Sequence, residues 1–204
     1  MSRSSAAFRP ARAARAWQRA LSGLGVLALG WWAGEAIGLQ VHFLRQSRRL
    51  DALVGEWLPG ALPLRARATR AEMGRTGLIG RIELPRLGLA AIVEEGVDGS
   101  TLRRAAGHVP GTALPGEPGN AVFAAHRDTV FRPLKDVRRG DVVRFLTPDG
   151  WFAYEVERVE VVDPHRIDVL APTPGRRATL ITCHPFTFVG RAPRRFIVHA
   201  RATP

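Results

Sequence analysis

The sequence predicts an all-β domain, a barrel or a sandwich, over residues 75–204, preceded by a membrane helix. From Leu78 onward, apolar and polar residues alternate over short stretches separated by turn residues, which is the pattern of β-strands. Within this region only GSTLRRAAGH resembles a helix. Before it, an uncharged and mostly apolar segment from Ala20 to Gly34 follows a run of arginines, which is typical of a membrane-targeting helix.

The first 19 residues form a basic tail with five arginines and no acidic residue. Because positive charge tends to stay on the cytoplasmic side, we expect residues 1–19 to be cytoplasmic and residues 20–44 to be a transmembrane signal anchor. Apolar character continues to Leu44, and tryptophans lie near both ends of a short span. The uncharged core alone covers only about 22 Å of helix, against roughly 30 Å of hydrocarbon. A cleaved signal peptide and a buried core helix are the alternatives.

Residues 45–74 predict a juxtamembrane helix and a linker. Apolar side chains recur up to Leu58, and the breakers Pro59, Gly60 and Pro63 follow. The chain then enters the β-domain, in which we find no internal repeat and no second domain.

Seven strands are predicted in the β-domain. LIGRIELPRLGLAAIVEEG contains two strands divided at Pro85, and NAVFAAHR contains a third. GDVVRFLTPDGWFAYEVERVEVV predicts a hairpin that turns at Pro148-Asp149-Gly150. The last two strands lie in RRATLITC and RRFIVHA.

The formal net charge of +12 is compatible with negatively charged partners, namely nucleic acid, an anionic membrane surface or an acidic wall polymer. Lys135 is the only lysine, so the charge reflects a general preference for arginine rather than a purpose-built binding face. The sequence contains no basic helix interleaved with aromatics, no zinc-ligand spacing and no RNA-binding motif. We therefore expect no nucleic-acid partner.

Cys183, the only cysteine, ends the apolar strand TLITC. In an exported domain disulfides are available, and a single cysteine cannot form one within the chain. A thiolate is an intrinsically strong nucleophile, and a strand end can present it at the rim of a barrel. The alternative is a small buried apolar residue.

A thiol nucleophile needs a proton acceptor or an imidazolium partner. His126 ends NAVFAAH and is presented at a strand end, whereas His184 follows Cys183 directly and should point to the opposite face of the strand. Arg195 heads the last strand, twelve residues after Cys183, and its guanidinium can stabilise an oxyanion there. Arg194 should face the other way. The other candidate histidines are His108, a hydrogen-bonding structural residue beside turns, His165 and His199.

GHVPGTALPGEPGNAVFAAHRDTVFRPLKDVRRGD and TLITCHPFTFVGRAPRRFIVHA closely resemble the sortases, and most closely those of class D. The resemblance covers roughly residues 78–202, in the same order and with matching spacing. It implies a membrane-anchored cysteine transpeptidase built on a closed eight-stranded β-barrel. It also implies cleavage of an LPxTG-type sorting motif through a thioester, which an amine then resolves.

Carried over by this resemblance, Cys183 is the nucleophile, and His126 protonates the leaving amine and activates the incoming one. Arg195 orients the sorting motif and stabilises the oxyanion. The implied partners are substrate proteins with such a motif and an amine acceptor, either a peptidoglycan precursor or a protein amine. We expect no cofactor and no metal. Glu94, Glu95 and Asp98 are the nearest approach to a carboxylate cluster, and such a trio usually belongs to a solvated loop rather than to a calcium site. The catalytic domain is expected on the extracytoplasmic side of the cell membrane.

The sequence departs from the family pattern at two positions. Ala125 stands where sortases usually have glycine before the active histidine, and His184 stands where similar class D sequences often have tyrosine. The order of residues excludes papain-like enzymes, and the absence of an HGC cluster excludes L,D-transpeptidases. The non-enzymatic alternative is a membrane-tethered β-barrel that binds wall polymer through its arginines.

Overall fold

The structure, a computed structural model, describes residues 11–55 and 68–203. The chain divides into two compact units, Met1–His42 and Phe43–Pro204, which are described separately. The first part of the predicted basic tail, residues 1–10, and the predicted break at Pro59, Gly60 and Pro63 lie outside the described residues.

The first unit consists of most of a long helix, α1, which spans Ala11–Gly55. Its segment Trp17–Val54 is long and apolar enough to cross a membrane, by length and composition, and none of its apolar window is buried. A signal sequence meets the same criteria, so the anchor remains a prediction here. The large exposed apolar side chains of this unit are Trp17, Leu21, Leu24, Val26, Leu27, Leu29, Trp31, Trp32, Ile37 and Leu39.

The second unit is a closed β-barrel with the strand order β1-β2-β3-β4-β7-β8-β6-β5. The strands are β1 Leu78–Leu84, β2 Leu89–Glu95, β3 Ala106–His108, β4 Gly119–Ala124, β5 Val142–Thr147, β6 Gly150–Val162, β7 Arg176–His184 and β8 Arg194–Ala202. Two short helices, α2 Ala68–Thr76 and α3 Gly99–Arg104, and the 3₁₀ turns Pro85–Leu87, Arg132–Asp136 and Asp168–Leu170 complete the unit.

This architecture confirms the predicted eight-stranded barrel and the seven strands expected from alternation. The hairpin turns between Thr147 and Gly150, as its sequence indicates. The stretch GSTLRRAAGH contains α3 and then β3, which we did not predict. Three buried residues are too few to show a period of two, so β3 has no recognisable pattern in the sequence.

The strands β7 and β8 are packed on both faces. Leu180 and Val198 face the main core inside the barrel, whereas Ile181 and Ile197 belong to a second apolar cluster with Val162, Val169 and Leu170. Val169 and Leu170 come from the 3₁₀ turn Asp168–Leu170, so the loop between β6 and β7 covers the outer face of these strands. The outer face therefore has its own packed floor, on which a site can be built.

The last part of α1 packs within the second unit. Leu50 is fully buried, and Phe43 contacts the cluster formed by Leu78, Ile92 and Ala105. Arg49 forms an ion pair with the carboxylate of Glu72 in α2 at 2.9 Å. The helical part of the predicted linker is therefore attached to the barrel.

Asp141 joins two turns at one end of the barrel. Nη2 of Arg86 donates to Oδ2 of Asp141 at 2.6 Å, Nε of Arg86 contacts Oδ1, and the backbone N–H of Arg138 donates to Oδ2 at 2.7 Å. The hydrogen bonds from Arg86 hold the pKa of Asp141 below its ordinary value, against the opposing effect of burial. The charged carboxylate therefore stabilises the fold.

We expect Asp141→Asn to lower the free energy of unfolding at pH 7 by about 2 kcal/mol, because charge-assisted hydrogen bonds are lost. The contribution of Asp141 is complete above about pH 4, the ordinary aspartate pKa, and is lost as pH falls through the lower pKa of the folded state. The difference between variant and parent should therefore shrink in acid, which denaturant melts at pH 7 and pH 3 would measure. Asp136→Asn, at an exposed position nearby, is the control, and an equal loss in both variants would contradict the assignment.

Candidate active site

The three residues singled out from the sequence lie side by side at one end of the neighbouring strands β4, β7 and β8, with His126 just past the end of β4. β4 and β7 are parallel, with Ala124 opposite Ile181, and the N–H of Ala125 still donates to the carbonyl of Ile181 at 3.2 Å. Two residues after Ala124, just past the end of β4, comes His126, and two residues after Ile181, within β7, comes Cys183. β7 and β8 are antiparallel, and Cys183 lies directly opposite Arg195. Neighbouring strands are about 4.8 Å apart, so this register places the imidazole and the guanidinium on either side of the thiol.

All three side chains face the outside of the barrel. Alternation puts Cys183 on the same face as Ile181, which packs in the outer cluster. His126 is exposed, and Cys183 and Arg195 are half-buried. The thiol is therefore not part of the apolar core.

The row opens into a cavity of about 520 Å³. Its walls are contributed by three loops, one after each of β4, β6 and β7. The lining residues are His126, Arg127, Asp128, Pro164, Cys183, Gly190, Arg191, Ala192 and Arg195. A peptide in this cavity can reach the sulfur, and three of the lining side chains are arginines, which suit carbonyl and carboxylate oxygens.

His184 lies on the other face of β7. Its ring stacks on Phe196 with a centroid distance of 6.1 Å and an interplanar angle of 20°, and Phe186 packs edge-on at 6.1 Å. Its Nδ1 is buried and has no hydrogen-bond partner among the described residues. The prediction that His184 points away from Cys183 is confirmed by these contacts.

Arg195 is held at the edge of the cavity by backbone carbonyls. Its Nη1 donates to the carbonyl of Ala192 at 3.3 Å and to that of Arg194 at 3.1 Å. Arg194 itself is exposed. It lies opposite His184 in the strand register, on the face of the sheet that is opposite to Cys183 and Arg195. The two adjacent arginines therefore have different surroundings, as alternation predicts.

Thr182 connects the two strands that carry His126 and Cys183. It is 2% exposed, and its hydroxyl donates to the carbonyl of Ala125 at 2.7 Å. Ala125 is buried in the main core. Its methyl group is therefore accommodated by packing, although it replaces the glycine that the family pattern favours.

We expect Thr182→Val to reduce both stability and any activity that depends on the His126–Cys183 register. The variant keeps the shape but leaves the buried carbonyl of Ala125 without its donor, which costs about 1–3 kcal/mol. Thr179→Val is the matched control, since Thr179 is also buried and donates to Oδ1 of Asn120 at 2.8 Å, farther along the same strand. Calorimetry and peptide-cleavage assays would measure the two effects. Equal loss of activity in both folded variants would contradict a local role.

The remaining histidines have other surroundings. His108 is buried, and its Nδ1 contacts Oε2 of Glu95 at 2.6 Å, while its Nε2 contacts Thr112 and Ala113 at 2.9 Å. This arrangement confirms the structural role expected from the sequence. His199 contacts Glu160 at 2.8 Å, and His165 is exposed.

The acidic trio considered as a cation site is divided among separate partners. Glu94 pairs with Arg104 at 2.7 Å, and Glu95 contacts His108. Asp98 caps α3 by accepting from the N–H of Ser100 at 2.8 Å. Within residues 11–55 and 68–203, no group of three or more His, Cys, Asp or Glu side chains is arranged to hold a metal ion.

Sequence reasoning missed the other walls of the cavity. Asp128, Pro164 and Arg191 lie in irregular loops, whose course no periodicity predicts. Arg127 is one of many arginines in the sequence, and only its position next to His126 distinguishes it.

The sequence and the fold are both similar to known proteins. The sequence model of the sortase domain matches residues 82–203, more than half of the chain. Sortase D of Bacillus subtilis is 32% identical over 123 residues, which cover 60% of this chain and 62% of that protein. The alignment thus spans less than two thirds of the length of that relative.

Two solved structures illustrate the likeness of the fold. Sortase C1 of GBS pilus island 1 has a TM-score of 0.69 at 24% identity, covering 79% of this chain and 92% of the other. The sortase D5 transpeptidase of Clostridium perfringens has a TM-score of 0.58 at 25% identity, covering 75% and 99%. The family match agrees with the barrel topology, and the chain belongs to the sortase family.

Proposed function

We propose that this protein is a cysteine transpeptidase that cleaves an LPxTG-type sorting motif near the C-terminus of substrate proteins and transfers the acyl group to an amine. The row of His126, Cys183 and Arg195 at the open cavity is the observation that supports this most directly. Family membership supports the same chemistry. The relatives named above are sortases, one of them described as a transpeptidase.

Acylation begins when the sulfur of Cys183 attacks the carbonyl carbon of the threonine in the motif. The π electrons of the carbonyl move to its oxygen, and a tetrahedral oxyanion forms. When the intermediate collapses, the C–N bond to the next residue breaks, and the leaving amine takes a proton from the imidazolium of His126. A thioester on Cys183 and a neutral His126 remain.

Deacylation reverses these roles. An amine of the acceptor attacks the thioester carbonyl, His126 takes its proton, and the sulfur leaves as a thiolate. The new amide bond joins the substrate to the acceptor, a peptidoglycan precursor or a protein amine. One histidine beside one sulfur is enough for both steps, because each step moves one proton.

Arg195 stabilises the oxyanion in both steps. A guanidinium is protonated at any physiological pH and offers several donors in a plane. Its position opposite Cys183 brings it to the side of the sulfur away from His126. The same donors can hold a carbonyl of the bound motif.

The anchor is part of the proposal. Residues 20–44 would cross the cell membrane once, with the basic tail of residues 1–19 in the cytoplasm and the barrel on the extracytoplasmic side. Substrate proteins and the acceptor would then bind the barrel on the extracytoplasmic side of the cell membrane.

Trapping the acyl-enzyme tests the proposed function. The full-length protein in detergent would be incubated with a library of LPxTG-type peptides and analysed by intact mass spectrometry and by peptide mapping. We expect an adduct of the N-terminal peptide fragment on Cys183, released by hydroxylamine. The absence of any adduct across the library, with Cys183 still reactive towards a small thiol reagent, would overturn the proposal.

A further inference from the structure

Arg127 connects two of the loops that form the catalytic cavity. It follows His126, and its Nη2 donates to the carbonyl of Phe188 and to that of Gly190, the latter at 3.2 Å. Its guanidinium also lies over the ring of Phe188, 5.9 Å from the centroid. Phe188 and Gly190 belong to the β7–β8 loop, residues 185–193, which joins Cys183 to Arg195.

The middle of the β7–β8 loop has little else to hold it. Val189 is 95% exposed, and Phe188 is also exposed, so neither side chain packs in the core. Phe186, at the start of the loop, packs on Phe196 with a centroid distance of 5.2 Å. Among the described residues, the side-chain hydrogen bonds that reach residues 187–190 come from Arg127.

The guanidinium of Arg127 is shielded from solvent on one side. Its Nη1 is buried and has no hydrogen-bond partner in the described part of the chain. Hydrogen bonds from a charged guanidinium to carbonyl oxygens are stronger than those between neutral groups. The guanidinium is therefore fixed between the two loops, with Nη1 buried and Nη2 donating to the carbonyls of Phe188 and Gly190.

We propose that Arg127 is a positioning residue for the reaction at Cys183, an inference that rests on the proposed transpeptidase function. By fixing the β7–β8 loop to the histidine-bearing loop, it sets the width of the cavity and the place of Arg191 and Ala192 in its wall. It takes no part in proton transfer. Its loss should widen the cavity and loosen the binding of peptide while the sulfur and imidazole stay in place.

The test combines kinetics with limited proteolysis of the full-length protein. In Arg127→Ala, we expect KM for an LPxTG-type peptide to rise at least tenfold, with a smaller change in kcat. The alkylation rate of Cys183 by iodoacetamide should stay within about twofold of the parent, since this small neutral reagent does not need the loop. Trypsin should cut after Arg191 at least ten times faster, because the loop is no longer held.

Arg132→Ala is the matched control, since Arg132 is an exposed arginine in the same stretch between β4 and β5. It should change neither KM nor the tryptic rate. Arg127→Lys keeps the charge but loses the planar fork that reaches two carbonyls, so its effects should be intermediate.

Arg127→Ala with unchanged KM and an unchanged tryptic rate at Arg191 would overturn the proposal. If that variant does not fold, the lysine variant decides, and a parental tryptic rate there would also overturn it. Failure of the transpeptidase function would show as no peptide cleavage by the parent protein. The tryptic comparison would then still test whether Arg127 holds the loop.

Discussion

Cys183→Ala and His126→Ala should each reduce cleavage of an LPxTG-type peptide by at least about three orders of magnitude, because each removes a group that the proposed mechanism uses for nucleophilic attack or proton transfer. The alanine at position 183 leaves no nucleophile. The alanine at position 126 leaves the amine without a proton donor and the thiol without its partner. Fluorogenic peptide assays under identical conditions would measure both losses.

His184→Tyr is the matched control for this prediction. His184 is adjacent to Cys183 in the sequence but stacks on Phe196 on the opposite face. Tyrosine preserves an aromatic ring there and is common at this position in similar class D sequences. We expect activity within a few-fold of the parent. Retained activity in either alanine variant, or its complete loss in His184→Tyr, would contradict the assignment of roles.

Arg195→Ala should lower kcat by about 10²–10³-fold, the typical loss when one preorganised oxyanion donor is removed. The guanidinium lies opposite Cys183 and is held in place by the carbonyls of Ala192 and Arg194. Its donors are therefore in position before charge develops on the substrate oxygen. KM should change as well if the same donors hold the motif.

Arg194→Ala provides an internal comparison, since the two arginines are adjacent and differ in the face they occupy. Arg194 is exposed on the face shared with His184, and its loss should leave kcat unchanged. Lysine at position 195 retains the charge without the planar donors, so only partial rescue is expected. Similar losses of kcat in Arg194→Ala and Arg195→Ala would contradict the assignment of oxyanion stabilisation to Arg195 alone.

Sequence patterns predicted most of this fold because its strands are short, alternating and separated by turns. They also predicted that Cys183 and Arg195 lie on neighbouring antiparallel strands, since a strand, a loop and a returning strand are visible in TLITCHPFTFVGRAPRRFIVHA. They could not predict β3, whose three residues have no period. They could not show that β4 and β7 are neighbours either, because the pairing joins segments far apart in the chain and leaves no local pattern.

The contacts of the site that the sequence did not predict are also long-range. The bond from Thr182 to the carbonyl of Ala125 spans fifty-seven positions, and the bonds from Arg127 to the β7–β8 loop span more than sixty. Both depend on which strands become neighbours and on the course of irregular loops. The resemblance to a known family supplied the pairing of His126 with Cys183 that local patterns alone left open.

The parallel pairing of β4 and β7 brings His126 and Cys183 together through direct backbone neighbours, with no strand of the intervening chain between them. His126 and Cys183 follow the same edge of the sheet, and the intervening chain contributes a hairpin and the loop of residues 163–175. Pro164, from that loop, lines the cavity without supporting the sulfur. The part of this loop around Pro164 is separate from the turn Asp168–Leu170, which packs under Ile181. Changes of composition at that part of the loop should therefore alter peptide selectivity while His126 and Cys183 keep their spacing.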